Sequence, residues 1–237
     1  MKILAIIPAR LNSSRFPNKP LAKILGKPMI QIVYENTIKS KKINDCYVAT
    51  CDNEIHNFVL SFGGKSVLTS SSHERATERT AEALIKIEKN IGKSFDIVVM
   101  VQGDEPMIKG YMVDKSIEPF INKNINVTNL MTKIISEEEF KDKNEPKVVV
   151  DKNNFALYFS RETIPSPWQK SFENKFKQVC AIPFRKDYLM KFNNLKPSNL
   201  ESIESIDMNR ILENGDKIKM VQINEYVKSV DNINDLK

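Results

Sequence analysis

Ile3-Leu4-Ala5-Ile6-Ile7-Pro8-Ala9-Arg10, continuing as Leu11-Asn12-Ser13-Ser14-Arg15-Phe16-Pro17-Asn18-Lys19-Pro20, carries an apolar run straight into a basic, hydroxyl-rich stretch. A short continuous apolar run bounded by turn residues reads as a strand buried on both faces. Pro8 is expected to stop its ladder, because proline has no N–H to donate. Beyond it, Arg10, Arg15 and Lys19 stand among serine hydroxyls with neither a helical nor a strand period. In open α/β sheets a loop leaving the C-terminal end of a buried strand is the usual ligand crevice. Cations, hydroxyls and free backbone N–H groups there suit a polyphosphate. The same spacing also fits a solvated basic loop.

Working outward, alternating elements follow. A helix is expected after Pro28, a strand over Cys46-Tyr47-Val48-Ala49-Thr50, and a helix from Asp52 to about Leu60 ended by Gly63-Gly64. A short strand then covers Ser66-Val67-Leu68. This β-α-β-α-β order predicts a parallel, doubly wound sheet. After the loop Ser70-Ser71-Ser72, the run His73-Glu74-Arg75-Ala76-Thr77-Glu78-Arg79 leads into a helix carrying Ala81, Leu84, Ile85 and Ile87. Thr77 is the expected N-cap, at an end that attracts anions. His73 reads as a ligand or, like most lone histidines, as a packed residue, and His56 as a surface residue of the preceding helix.

Asp96-Ile97-Val98-Val99-Met100-Val101 is the clearest buried strand, ending in Gln102-Gly103-Asp104-Glu105-Pro106. An acid directly after such a strand sits at the crevice mouth, where a hard cation could bridge to phosphates. Asp104 could equally cap the next turn. Further on, Ile125 to Ile134 reads as a strand, and Ser136 as the start of a short acidic helix. Pro146 to Asp151 and Phe155 to Ser160 flank the turn Lys152-Asn153-Asn154 as a hairpin. Such a hairpin often marks an arm that covers a site or makes a dimer. Residues 168–176 read as a mobile loop, Gln178 to Phe184 as one strand, and Leu200 to Leu212 as one amphipathic helix closed by Asn214-Gly215. A late strand at 218–221 and a terminal helix capped by Asp231 or Asn232 complete the chain.

Composition bounds the class. The 237 residues suit one domain, 1–237, with an inserted β arm at about 145–185. The formal charge of +6 permits a nucleic-acid partner, but the lysines are dispersed among acids rather than gathered into an aromatic-laced stripe. Three cysteines without a CxxC pair favour a reducing compartment and argue against a structural zinc site. No apolar run approaches the roughly 20 residues of a membrane span, so a soluble, cytoplasmic protein is expected.

Several motifs in order resemble one family. Ile7-Pro8-Ala9-Arg10 with Ser14-Arg15-Phe16-Pro17-Asn18-Lys19-Pro20, Val101-Gln102-Gly103-Asp104-Glu105-Pro106, and Ala156-Leu157-Tyr158-Phe159-Ser160-Arg161 with Ile164-Pro165 are similar to the sugar-acid cytidylyltransferases. The pattern is nearest the CMP-Kdo synthetase (3-deoxy-manno-octulosonate cytidylyltransferase) group, and covers almost the whole chain, including Thr77-Glu78-Arg79 and Val230-Asp231. The Gly-x-Gly of broader sugar nucleotidyltransferases is replaced by Pro8-Ala9-Arg10.

The resemblance implies a Rossmann-like α/β nucleotidyltransferase fold, mostly parallel, with a hairpin arm for dimerisation and acceptor binding. It places CTP over Pro8, Ala9, Arg10, Ser14, Arg15 and Lys19, with His73, Thr77 and Gln102 also on the nucleotide. Mg²⁺ would lie on Asp104 and Asp231. With Arg10 and Lys19 these form the implied catalytic set. Arg79 and Arg161 would face an acid substrate, since guanidinium binds carboxylate as a fork. A homodimer is implied, and no nucleic acid.

Departures from the pattern cluster in one place. Ala76 stands where the family has Gly, and Arg75 where it has a small residue; Gln178 and Ile182 replace His and Tyr, and Asp207-Met208 replace Glu-Gln. Altered acceptor contacts beside intact nucleotide and metal motifs predict a shifted acceptor: another 2-keto-3-deoxy sugar acid, an amino-sugar acid or a phosphonate. A non-catalytic nucleotide or nucleic-acid binder, and a transferase using another base, are the rival classes.

Overall fold

The computed structural model describes residues 1–12, 16–168 and 174–236. Strands are β1 (Ile3–Ala9), β2 (Lys23–Ile24), β3 (Lys27–Pro28), β4 (Asp45–Thr50), β5 (Ser66–Leu68) and β6 (Ile97–Val101). They continue as β7 (Thr128–Lys133), β8 (Lys147–Val150), β9 (Ala156–Ser160), β10 (Phe176–Val179), β11 (Ala181–Arg185) and β12 (Lys219–Ile223). Helices are α1 (Met29–Thr37), α2 (Asn53–Ser61), α3 (Ala76–Ile91) and α4 (Gly110–Ile117). The remainder are α5 (Glu137–Lys141), α6 (Lys186–Asn193), α7 (Asn199–Glu204) and α8 (Met208–Glu213).

The first sheet has the order β11-β6-β1-β4-β5, with β6, β1, β4 and β5 parallel and β11 antiparallel at one edge. Period-two alternation divides β1 between two cores. Ile3, Ala5 and Ile7 pack with α1, α2 and α4, while Leu4 and Ile6 pack with α3 and α6. Helices therefore cover both faces, and the strand must be apolar throughout. Contrary to the expected stop, β1 runs through Pro8 to Ala9. Pairing with β6 ends at Ile6, and pairing with β4 continues to Ala9, so the missing N–H interrupts no bond on the β6 side.

The second sheet, β12-β7-β10-β8-β9, is mostly antiparallel. The mostly parallel description thus holds for the first sheet alone. Gln178 to Phe184, expected as one strand, is two: β10 lies in the second sheet and β11 in the first, with Cys180 at the crossing. The expected arm therefore divides, β8 to β10 into one sheet and β11 into the other. Cys180 O accepts from Gln102 N at 3.0 Å, and Cys180 N donates to Glu105 Oε1 at 2.9 Å. That crossing is consequently stitched to the loop after β6. The helix expected over Leu200 to Leu212 is likewise broken into α7 and α8, with Ser205 left-handed at φ 53°.

Candidate active site

Two adjoining cavities open at the C-terminal ends of β1 and β6. The first, about 360 Å³, is lined by Pro8, Ala9, Arg10, Lys19, His73 and the start of α3. The second, about 150 Å³, lies between the loop after β6, the arm and the α7–α8 break. Gln102, Asp104, Ser205 and Asp207 line both, so they form the partition.

Asp104 is placed by contacts from two distant segments. Lys19 Nζ donates to its Oδ2 at 2.6 Å and to Val230 O at 2.9 Å, while Val230 N donates to Asp104 O at 3.0 Å. This knot brings Asp231 to the second cavity, where Ser229 Oγ donates to Asp231 Oδ2 at 2.8 Å. Gly103 allows the close approach: a Cβ there would lie 3.1 Å from Pro8 O. Glu105, buried beside Asp104, accepts from Cys180 N through Oε1, while Oε2 has no hydrogen-bond partner among the described residues. Burial, with the neighbouring Asp104 and Glu145 carboxylates, pushes its carboxyl up to about 8.

The cavities differ in charge. Arg10, Lys19, Arg75 and Arg79 face the first, against Glu74, Asp104 and Asp207. The second carries Asp104, Glu105, Glu145, Asp207 and Asp231 against Arg161. Its apolar wall is Met100, Ile182, Ile206 and Met208. Cys180 also lines it, but burial and the surrounding carboxylates hold its thiol well above the ordinary range, which disfavours the thiolate there.

The expected residues fall as follows. Pro8, Ala9, Arg10, Lys19, His73 and Gln102 share the first cavity. His73 Nε2 bonds Glu82 Oε2, which fixes its ring at the rim. Ser14 and Arg15 lie outside the described residues, as does most of the loop expected at 168–176. Gln178, Ile182, Asp207, Met208 and Arg161 share the second cavity. Gln178 Nε2 donates to Asn129 Oδ1 at 2.6 Å. Arg161 donates to three backbone carbonyls, those of Lys143, Glu204 and Ser205.

Two assignments change. Thr77 is neither the N-cap nor a cavity residue: α3 begins at Ala76, and Thr77 is fully buried, donating from Oγ1 to Asp207 Oδ2 at 2.8 Å. The helix starts earlier because Glu78 Oε2 reaches back to the N–H groups of Glu74 and Arg75. Arg79 lines the first cavity rather than the acceptor side, and its Nη1 donates to Thr69 Oγ1 and Ser70 O. Sequence reasoning missed Ser205, Glu105 and Glu145. A helix pattern interrupted by the capping types Ser205 and Asp207 could have flagged the break. An acid before Pro106 reads as an exposed turn, and nothing local marks Glu105 as buried.

The donor set fits a substrate-borne Mg²⁺. Asp104 and Asp231 present hard oxygen donors on one cavity wall. Among the described residues no group of three or more His, Cys, Asp or Glu could hold a metal ion by itself. Mg²⁺ commonly takes only one or two protein carboxylates and fills its shell with water and phosphate.

Comparison with known proteins supports the geometry. The family model described as cytidylyltransferase matches residues 4–218. A 3-deoxy-manno-octulosonate cytidylyltransferase from Thermodesulfovibrio yellowstonii is 43% identical over 235 residues, covering 95% of this chain and 91% of that protein. One of the same description from Fusobacterium nucleatum subsp. nucleatum is 39% identical over 232 residues, covering 98% and 92%. The solved structure of a CMP:2-keto-3-deoxy-manno-octonic acid synthetase complexed with CTP superposes with a TM-score of 0.90 at 35% identity, covering 100% of this chain and 95% of that one. A 4-diphosphocytidyl-2C-methyl-D-erythritol synthase at 12% identity and a TM-score of 0.62 shares the fold alone. With its cation-lined cavity beside a carboxylate-bearing one, and with relatives matching along its length, this chain belongs to the cytidylyltransferase family.

Proposed function

We propose that this protein transfers CMP from CTP to the anomeric 2-hydroxyl of a Kdo-type 2-keto-3-deoxy sugar acid and releases pyrophosphate. The observation that carries the reading is the shared partition: Gln102 and Asp104 face both a cation-lined cavity and a smaller pocket beside it. An acceptor in the second cavity would meet the α-phosphorus of a nucleotide in the first across that wall. The hydroxyl oxygen bonds the α-phosphorus and gives up its proton to solvent, the bond from that phosphorus to the oxygen bridging to the β-phosphate breaks, and its electron pair leaves with pyrophosphate. Arg10 and Lys19 neutralise phosphate charge, and the apolar wall with Arg161 orients the sugar acid. Positioning and charge neutralisation suffice for such a displacement. Asp104 and Asp231 would hold Mg²⁺, which when bound offsets triphosphate charge and lowers the hydroxyl pKa.

The relatives' acceptor supports Kdo, whereas Gln178, Ile182 and the Asp207-Met208 pair support a related acid; a panel of acids separates these readings. Pyrophosphate release with CTP, Mg²⁺ and Kdo is the direct test. We also read the protein as a cytoplasmic homodimer. Cys46, Cys51 and Cys180 are free thiols, as a reducing compartment favours. Leu157 of β9 is exposed and offers an apolar contact to a second copy, whereas the backbone edge of that strand is already bonded to Asn209 and Ile218. Light scattering on the protein and on Leu157→Lys tests the dimer. Among the described residues no helix is long and apolar enough to cross a membrane.

A further inference from the structure

Arg75 and Asp207 face one another across the partition, although they lie 132 positions apart, one before α3 and the other before α8. Arg75 Nη1 lies 3.1 Å from Ser205 Oγ and 3.4 Å from Asp207 Oδ1. Asp207 Oδ2 meanwhile accepts from Thr77, two residues beyond Arg75. From the arm side, Arg161 donates to Glu204 O at 2.7 Å and Ser205 O at 3.3 Å. The break between α7 and α8 is thus gripped from both cavities, and it includes a non-glycine residue at φ 53° that isolated backbone disfavours.

Among the described residues the Arg75 guanidinium also lies near a second acid. Glu201 Oε1 lies 3.8 Å from its Nε, but Glu201 is buried against Arg210, which bonds both its carboxylate oxygens. The remaining partner for Arg75 is Asp207. The guanidinium is turned toward the break rather than toward Arg10 and Lys19, so its contacts suit holding a wall better than holding a phosphate.

We propose that Arg75 is a positioning residue which, through Asp207 and Ser205, fixes the acceptor half of the site against the nucleotide half. The inference rests on the cytidylyl-transfer reading. Without Arg75, Asp207 would lose its ion-pair partner and keep the Thr77 hydroxyl bond, beside an acid substrate and a triphosphate. Its main effect would be on the acceptor.

The test is a double-mutant cycle with Arg75→Met, Asp207→Asn and the double variant, plus Arg75→Lys. Steady-state rates for the best acceptor, CTP affinity by calorimetry, thermal midpoints and hydrogen exchange over 204–208 are measured. Expected are a tenfold or greater rise in acceptor KM for Arg75→Met, CTP affinity within threefold of the unmodified protein, and partial recovery in Arg75→Lys. Adding Asp207→Asn to Arg75→Met lowers the acceptor KM again, because the stranded charge is gone. A tenfold loss of CTP affinity with acceptor KM unchanged would overturn the proposal by making Arg75 a phosphate ligand. Independent, multiplying effects would overturn it too, as would a fall in midpoint with all constants together and no recovery by lysine. If the unmodified protein turns over no acid, the functional reading fails separately. Exchange over 204–208 then decides the pair: faster exchange in Arg75→Met supports it, and unchanged exchange overturns it.

Discussion

Lys19 Nζ donates to Asp104 Oδ2 at 2.6 Å while also donating to Val230 O at 2.9 Å. One ammonium group therefore joins the loop after β1, the loop after β6 and the chain just ahead of Asp231. The pair is largely sheltered, with side-chain exposures of 13% and 23%. Lys19 thus sets where the two carboxylates sit, and in the proposed reaction it also offers charge to a polyphosphate.

From that geometry, Lys19→Met and Asp104→Asn are each expected to lower kcat/KM by about 10²- to 10³-fold, the scale of losing one preorganised electrostatic contact. Lys19→Arg should not restore the rate, because a planar fork cannot reproduce an ammonium's contacts to a carboxylate and a carbonyl. Steady-state pyrophosphate release checks both. Thermal midpoints within a few degrees of the unmodified protein would show that the loss is catalytic.

Glu105 gives a stability prediction of opposite kinds for two substitutions. Its carboxyl is buried, burial favours its neutral form, and Oε1 serves the Cys180 N–H. Glu105→Gln keeps the acceptor oxygen without a buried charge and should leave the denaturation midpoint nearly unchanged. Glu105→Ala strands the Cys180 N–H at the crossing between the sheets and should cost about 1–3 kcal/mol. Urea denaturation of both variants measures the difference.

Glu82 predicts a pH effect. Burial pushes its carboxyl up, but Lys86, the Ser70 N–H and His73 outweigh this and hold it down at about 2. A depressed carboxylate contributes stability that is present above its unfolded value near 4.5 and is lost as pH falls through 2. Glu82→Gln should therefore destabilise at pH 7, and the gap to the unmodified protein should narrow below pH 4.5 and close near pH 2. With the side chain 24% exposed, solvent screening limits the effect at pH 7 to about 1–2 kcal/mol. Denaturant titrations across pH 7 to 3 follow the narrowing.

How far the sequence could be read depends on whether the signal was local. β1 and β6 were legible because strands buried on both faces need unbroken apolar runs, and Gln102-Gly103-Asp104 follows one of them directly. The doubly wound core followed from alternation of strands and helices. The crossing at Cys180 was not legible: apolar residues continue on both sides, and only the partners of β10 and β11 distinguish the sheets. The break at Ser205 was hidden by the helical spacing of its flanks, and it is held by Arg75 and Arg161 from far along the chain. Thr77 has the right type for a cap, but Glu78 moves the helix start ahead of it. The Lys19–Val230 contact spans 211 positions, a distance over which no spacing rule operates.

The most direct test of the account is pyrophosphate release by the purified protein with CTP, Mg²⁺ and Kdo, run beside related sugar acids and phosphonates and beside ATP, GTP and UTP. Release is expected to require CTP and a Kdo-type acid and to disappear in Asp104→Asn. Release with another nucleotide instead of CTP, or CTP binding with no turnover of any acid, would contradict it.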